Sequence, residues 1–286
     1  MPSDGSGARR AAVVGSPVAH SLSPVLHIAA YTALGLVDWR YDRLELDGDG
    51  LTATVPTLGP AWVGLSVTMP GKQAALALAD AASQRAMAVG AANTLLRRDD
   101  GWFADCTDID GVAGALRAAG DPLPAGSVGA VLGAGGTAAA ALAGLAVLGV
   151  TSVVSVVREP ARAAALVDCA ARLGVELIVR RWSDEVLSGL ADEVSVLVST
   201  VPPAAVASSA ARLAAVSAVL DVIYHPWPTP IAVARSAAGL PLATGLDMLL
   251  HQAFGQVELF TGMSAPREPM RDALAATSGV QLLPLP

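Results

Sequence analysis

Between Ser127 and Val157 the chain carries no charged residue, yet glycines at 133, 135 and 136 break this stretch directly after the apolar run Ala130-Val131-Leu132. An unbroken stretch of that length would raise a membrane span. The glycine cluster points elsewhere, to a strand at Val128–Leu132, a turn at Gly133-Ala134-Gly135-Gly136-Thr137, a small-residue helix from Ala138 to Leu148, and a second strand at Val153–Val157. Continuous apolar runs of this kind are what strands buried on both faces look like. Together they make one βαβ unit of the length that binds a dinucleotide. A glycine triplet alone is weak, but here it lies between strand and helix, with Ala138 where the third glycine of the fingerprint can be alanine.

The residues after the second strand bear on which dinucleotide. An acid there usually holds the ribose hydroxyls of NAD. This chain has Arg158, then Glu159, then Arg162 one turn on. Two guanidinium groups suit a 2′-phosphate, so NADP is the expected cofactor. Further strands are expected at Val194–Val198 and Val216–Val222, with Thr200 and Val222 bordering the nicotinamide.

A second signal is the lone lysine. Lys and Arg total 18, and Lys72 is the only lysine. Arginine stays protonated, whereas an ammonium can release its proton, so this position marks a candidate for proton transfer. Asn93 is likewise the only asparagine. The surrounding pattern gives strands at Arg10–Gly15, Trp39–Leu46 and Trp62–Thr68, helices from Pro24 to Leu34 and from Asp49 to Leu58, and a helix opened by Pro70 that carries Lys72 in its first turn. The lysine is thereby placed at the C-terminal end of a strand, the edge where open α/β sheets bind ligands. Ser21 and Ser23 fall at a strand-to-helix junction. There they would cap the helix or hold a small carboxylate beside its free N–H groups. Asp105, Asp108 and Asp110 cluster where a helix starts near Ile109; capping would explain them, and one is a candidate partner for Lys72.

Length and charge narrow the class. The 286 residues allow two domains, and a net charge of -7 argues against nucleic acid as partner. Cys106 and Cys169 lack metal-ligand spacing, and the four histidines are dispersed, so no metal is expected. The apolar run after Arg10 is too short for a signal peptide, so the expectation is a cytoplasmic protein without a membrane segment. Asp121–Gly126 is a turn-rich linker. The last third, with helices at Gly245–Gly262 and about Arg267–Ala276, returns to the first domain. The fold class is α/β with two domains: an N-terminal α/β substrate-binding domain over 1–108, completed by 239–286, and a Rossmann-type doubly wound parallel sheet over 109–238. The oligomeric state stays open, with a homodimer as one candidate.

With these residues placed, the chain resembles the shikimate dehydrogenase family over nearly its whole length. The resemblance rests on GSPVAHSLSP, SVTMPGK, GAANTL, TDIDG, GAGGT, DVIYHPWPTP and GLDMLLHQ, in the family's order. It implies that Ser21 and Ser23 bind the substrate carboxylate, that Thr68, Asn93, Tyr224 and Gln252 line the ring, and that Lys72 and Asp108 form the catalytic pair. It also implies that Gly133, Ala134, Gly135, Gly136, Thr137, Arg158, Arg162, Val222, Gly245 and Met248 contact NADP. The implied reaction is reversible NADP-dependent reduction of 3-dehydroshikimate to shikimate, in aromatic amino-acid biosynthesis. A quinate or aminoshikimate dehydrogenase and a non-catalytic regulatory relative are the alternatives. Two departures stand out: Ser66 and Cys106 occupy positions where the family usually has asparagine.

Overall fold

The described residues build two six-stranded sheets, each within its own unit. The computed structural model describes residues 8–120 and 123–285, so Asp121 and Pro122, the first two residues of the expected linker, lie outside the described residues. The first unit comprises the residues up to Met87, Ala91–Thr107 and Ala253–Gln281; the second comprises Ala88–Gly90, Asp108–Gln252 and the residues from Leu282.

In chain order the first sheet and its helices are β1 (Arg9–Gly15), α1 (Ser23–Ala33), β2 (Trp39–Glu45), α2 (Gly48–Thr54), β3 (Trp62–Val67), α3 (Lys72–Leu78), β4 (Ala81–Ala82), α4 (Gln84–Val89), β5 (Thr94–Arg98) and β6 (Gly101–Asp105). The strand order is β2-β1-β3-β5-β6-β4. β1 runs parallel to β2 and β3, while β5 runs antiparallel to β3 and β6. The C-terminal ends of β1, β3 and β6 and the start of β5 therefore share one edge of the sheet. Ala12, Val14, Leu65, Val67, Leu95 and Ala104 form a core with Leu51, Val55 and Ala75 from the helices. β2, at the sheet's margin, buries only Tyr41 and leaves its charged residues toward water, a common device on edge strands. The helix expected from Asp49 to Leu58 is shorter, giving way to a tight 3₁₀ turn at Val55–Thr57. α3 starts at Lys72 rather than Pro70, because Met69-Pro70-Gly71 forms a turn closed by the Gly71 N–H on the Thr68 carbonyl at 3.0 Å.

The second unit continues with α5 (Asp108–Ala119), β7 (Val128–Leu132), α6 (Gly136–Val147), β8 (Ser152–Val157), α7 (Ala164–Leu173), β9 (Glu176–Arg181), α8 (Asp184–Glu193), β10 (Val196–Ser199), α9 (Ala210–Leu213), β11 (Ala218–Asp221), α10 (Pro230–Ala237) and β12 (Ala243–Thr244). All its strands are parallel, in the order β12-β11-β10-β7-β8-β9. That is the doubly wound dinucleotide-binding order, reversing between β7 and β10. The alanine-rich α6 is buried along most of its length and packs against α5. A Cβ on its Gly144 would lie 2.7 Å from Val112, so the missing side chain sets how closely the helices approach.

The chain then returns through α11 (Gly245–Thr261) and α12 (Arg267–Ser278). The return to the first unit begins at Ala253, within α11, and not at residue 239. The reason is β12, which extends the second sheet by pairing with β11 and holds the following residues there. Gly64 lacks a side chain where Phe260 of α11 lies on β3; a Cβ there would be 2.1 Å from the ring. Among the described residues, no helix is long and apolar enough to cross a membrane.

Candidate active site

The shared edge of the first sheet gathers five of the expected site residues. Gly15 ends β1 beside Thr68, and a Cβ on Gly15 would approach the Thr68 methyl to 2.3 Å. Glycine is what gives Thr68 its place. Lys72 is half-buried, and its carbonyl accepts from the Ala92 N–H at 2.9 Å, which joins the start of α3 to the chain leading into β5. Asn93 is buried there. Its Nδ2 donates to Thr107 Oγ1 at 2.9 Å and its Oδ1 accepts from the Thr107 N–H at 2.8 Å, so the lone asparagine fixes the residue before Asp108. Cys106 is buried, with its N–H on Asp105 Oδ1 at 2.8 Å. Burial pushes the Asp105 carboxyl up, but Arg85, Ser83 and that N–H outweigh it and hold the group below the usual range.

Neither serine occupies the cap position, although Ser21 Oγ accepts the Ser23 N–H at 3.3 Å at the first residue of α1. The residue preceding α1 is Leu22, with no side-chain cap. Ser21 and Ser23 bond each other, and a chain of hydroxyls that reaches Gln256 starts at Tyr41. Ser21 Oγ donates to Ser23 Oγ at 3.3 Å; separately, Tyr41 Oη donates to Ser66 Oγ at 2.6 Å, and Ser66 Oγ donates to Gln256 Oε1 at 2.6 Å. The direction is fixed at the far end. Gln256 Nε2 donates to the Asn93 carbonyl at 3.1 Å and to Thr94 Oγ1 at 3.1 Å, and a carbonyl can only accept. Oε1 must then face Ser66, so Ser66 and, before it, Tyr41 each donate their single proton toward Gln256. Arg43 holds the serine pair, donating from Nη2 to the Ser21 carbonyl at 2.7 Å. Gln256 and Tyr41 were not foreseen. The signal for Gln256 was its spacing four residues after Gln252 on one helix face.

His27 is wholly buried beside this chain, stacked on Tyr41 with centroids 4.0 Å apart, its Nε2 3.3 Å from Gln256 Oε1. Since Oε1 accepts only, Nε2 carries the hydrogen. Burial lowers the His27 pKa to about 3, against a smaller upward effect of the Gln256 bond. The folded value lies below the unfolded one near 6.5, so the stabilisation is whole above pH 6.5 and is lost as pH falls toward 3. We expect a loss of about 2 kcal/mol between pH 7.5 and pH 5 from this group alone. Urea unfolding at both pH values checks it, and His27→Asn, with the same pH dependence as wild type, would refute the assignment.

In the second unit, Asp108 opens α5 and is buried. α5 crosses the start of α11 through its glycines. A Cβ on Gly111 would lie 2.7 Å from the Met248 carbonyl and 3.0 Å from Gln252 Cβ, and one on Gly114 would meet His251 at 2.4 Å. Gln252 is buried and donates from Nε2 to the Leu249 carbonyl at 2.9 Å. A Cβ on Gly245 would run into the Val222 carbonyl at 2.0 Å and the Tyr224 ring at 2.9 Å, so Gly245, Val222 and Tyr224 meet. Burial raises the Tyr224 pKa.

At the ends of β7, β8 and β9 the second unit has a cavity of about 1100 Å³, with Gly133, Ala134, Gly135, Arg158, Glu159, Arg162, Arg181, Trp182, Val201 and Pro202 in its wall. Gly133 has φ +109°, and a Cβ there would meet Thr200 Oγ1 at 2.6 Å, so the turn requires glycine. Gly135 and Gly136 face open space, and the start of α6 has no side-chain cap, which leaves its N–H groups for an anion. These features fit a dinucleotide. Gly136 and Thr137 open α6, while Thr200, Val222, Gly245 and Met248 are not in this wall. The Thr200 hydroxyl is spent on the Leu132 carbonyl at 2.7 Å, supporting the turn from behind.

Comparison with known proteins agrees with both halves. A family model for the shikimate dehydrogenase substrate binding domain matches residues 13–95, and one for the shikimate 5'-dehydrogenase C-terminal domain matches residues 245–275. A shikimate dehydrogenase (NADP(+)) of Methylobacterium radiotolerans is 38% identical over 280 residues, covering 93% of this chain and 96% of the relative. The crystal structure of Mycobacterium tuberculosis shikimate dehydrogenase superposes with a TM-score of 0.87 at 53% identity, covering 94% of this chain and 99% of that one. The Thermus thermophilus enzyme in complex with NADP(H) and shikimate gives 0.75 at 31% identity, covering 94% and 99%. The chain belongs to the shikimate dehydrogenase family.

Proposed function

We propose that the protein catalyses the reversible NADP-dependent reduction of 3-dehydroshikimate to shikimate. The observation that carries this reading is the edge of the first sheet, where the only lysine shares its position with Thr68, Asn93 and the linked serines. A ring bearing one carboxylate and several hydroxyls matches that set of donors. Ser21 and Ser23 bind the carboxylate, Thr68, Asn93, Tyr224 and Gln252 bind the ring hydroxyls, and Lys72 gives its proton to the oxygen at C3 as the carbonyl becomes an alcohol. In the reverse direction the neutral amine takes that proton back. Asp108 is the proposed counter-charge to the ammonium.

The glycine turn, the open start of α6 and the arginines of the cavity would hold NADP, which supplies the hydride when bound. The protein's own part is orientation and the proton. Both cysteines are buried free thiols, in keeping with the reducing cytoplasm where we place the enzyme.

The test is the absorbance of reduced nicotinamide with NADP or NAD, offered shikimate or quinate. Rapid reduction of NADP with shikimate alone is the expected result. Preference for quinate would move the substrate assignment, and preference for NAD the cofactor assignment. No turnover from folded protein in any combination would refute the proposal.

A further inference from the structure

We infer that Gln256 is a positioning residue for the substrate: it holds Asn93, through the Asn93 backbone and through Thr94, so that Asn93 meets a ring hydroxyl as a hydrogen donor. This rests on the reading of Asn93 as a ring-binding residue and adds the group that aims it. All the residues concerned lie in the first unit. Ser66 and Thr94 are paired positions of β3 and β5, and Gln256, from α11, straddles the pair. Its Oε1 accepts from Ser66 Oγ at 2.6 Å, and its Nε2 donates to Thr94 Oγ1 at 3.1 Å. This pair is the rung of the two strands nearest the edge that carries Thr68, two residues after Ser66, and Asn93, one before Thr94.

Two routes run from Gln256 to Asn93. The first is direct: Nε2 donates to the Asn93 carbonyl at 3.1 Å, which also accepts the Val67 N–H at 2.7 Å. Both lone pairs of that carbonyl are then in use, and the Asn93 backbone is tied to the strand that leads to Thr68. The second route passes through Thr94. Its hydroxyl accepts from Gln256 and turns its one hydrogen to Asn93 Oδ1, at 2.9 Å. Asn93 Oδ1 takes the Thr107 N–H as well, at 2.8 Å. With two donors on it Oδ1 is occupied, so what Asn93 can offer a ligand is a hydrogen of Nδ2. Ser66, Asn93, Thr94, Thr107 and Gln256 are all buried, where a wrongly turned amide finds no water to repair it.

Steady-state kinetics of shikimate oxidation, with Asn93→Ala as the reference, tests the inference. Asn93→Ala should raise the shikimate KM by roughly 10- to 100-fold. Gln256→Met and Thr94→Val should each raise it by roughly 5- to 30-fold, with kcat and the KM for NADP within about threefold of wild type. Since both act on the same amide, the double variant should be no more than about twofold worse than Gln256→Met. Thr94→Ser, which keeps the hydroxyl, should bring KM back to within about twofold of wild type. Thr94→Val conserves volume, so it carries the test if a melting curve finds Gln256→Met unfolded. Variants that melt earlier and lose active fraction while the shikimate KM stays in place would make Gln256 structural only and overturn the inference. So would additive losses in the double variant, or Thr94→Ser as damaging as Thr94→Val. An unaltered KM in Asn93→Ala would overturn the ring-binding reading and this inference with it. A raised KM there, beside unaltered Gln256 and Thr94 variants, would overturn this inference alone.

Discussion

Lys72→Arg should lower kcat for shikimate oxidation by about 10²- to 10⁴-fold, with the KM for NADP little changed. The substitution keeps the positive charge and the helix position but removes the ability to release a proton, since a guanidinium stays protonated at any working pH. Lys72 is held from its own backbone, where its carbonyl accepts the Ala92 N–H, so the arginine would start from the same point. Steady-state kinetics with varied shikimate checks the prediction. Turnover within about threefold of wild type would remove the proton-transfer role. An unchanged kcat with a raised shikimate KM would leave the residue only a binding role.

Arg235→Met should cost about 3 kcal/mol of stability, the usual scale for breaking up a buried charged network. Arg235 is 1% exposed and has no carboxylate among its hydrogen-bond acceptors. Its guanidinium reaches the carbonyls of Ala214 at 3.1 Å, Val216 at 2.6 Å and Ser217 at 3.4 Å, and donates twice to that of Pro241. One planar fork thus joins the turn after α9 to the segment before β12. Methionine fills much of the volume but leaves those carbonyls without donors, and buried unpaired carbonyls are what make the loss large. Chemical denaturation at neutral pH measures it. A change below about 1 kcal/mol would mean that water replaces the fork.

The sequence was most informative where a pattern repeats or a residue type is unique. The run around Gly133 gave the βαβ unit because strands covered on both faces must be apolar throughout and the turn must be glycine. Lys72 stood out because nothing else in the chain is a lysine. β9 escaped notice since, at the margin of the second sheet, it carries Glu176, Arg180 and Arg181 and lacks the apolar signature, and Arg181 went with it. Arg235 was invisible for a different reason. Its partners are backbone carbonyls, which have no identity in a sequence. The sequence puts the return to the first unit at 239, whereas the compact units divide at Ala253; a two-residue strand such as β12 leaves no periodicity to read.

The hydroxyl chain ending at Gln256 bears on how this site can drift during descent. Its members were matched by donor and acceptor count, so Ser66, Tyr41 and Gln256 are not independent positions. A lone change at any of them strands a buried polar atom on its neighbour, at a cost that selection would notice. Position 66, where the family usually has asparagine, can therefore be serine only beside a compatible residue at 256.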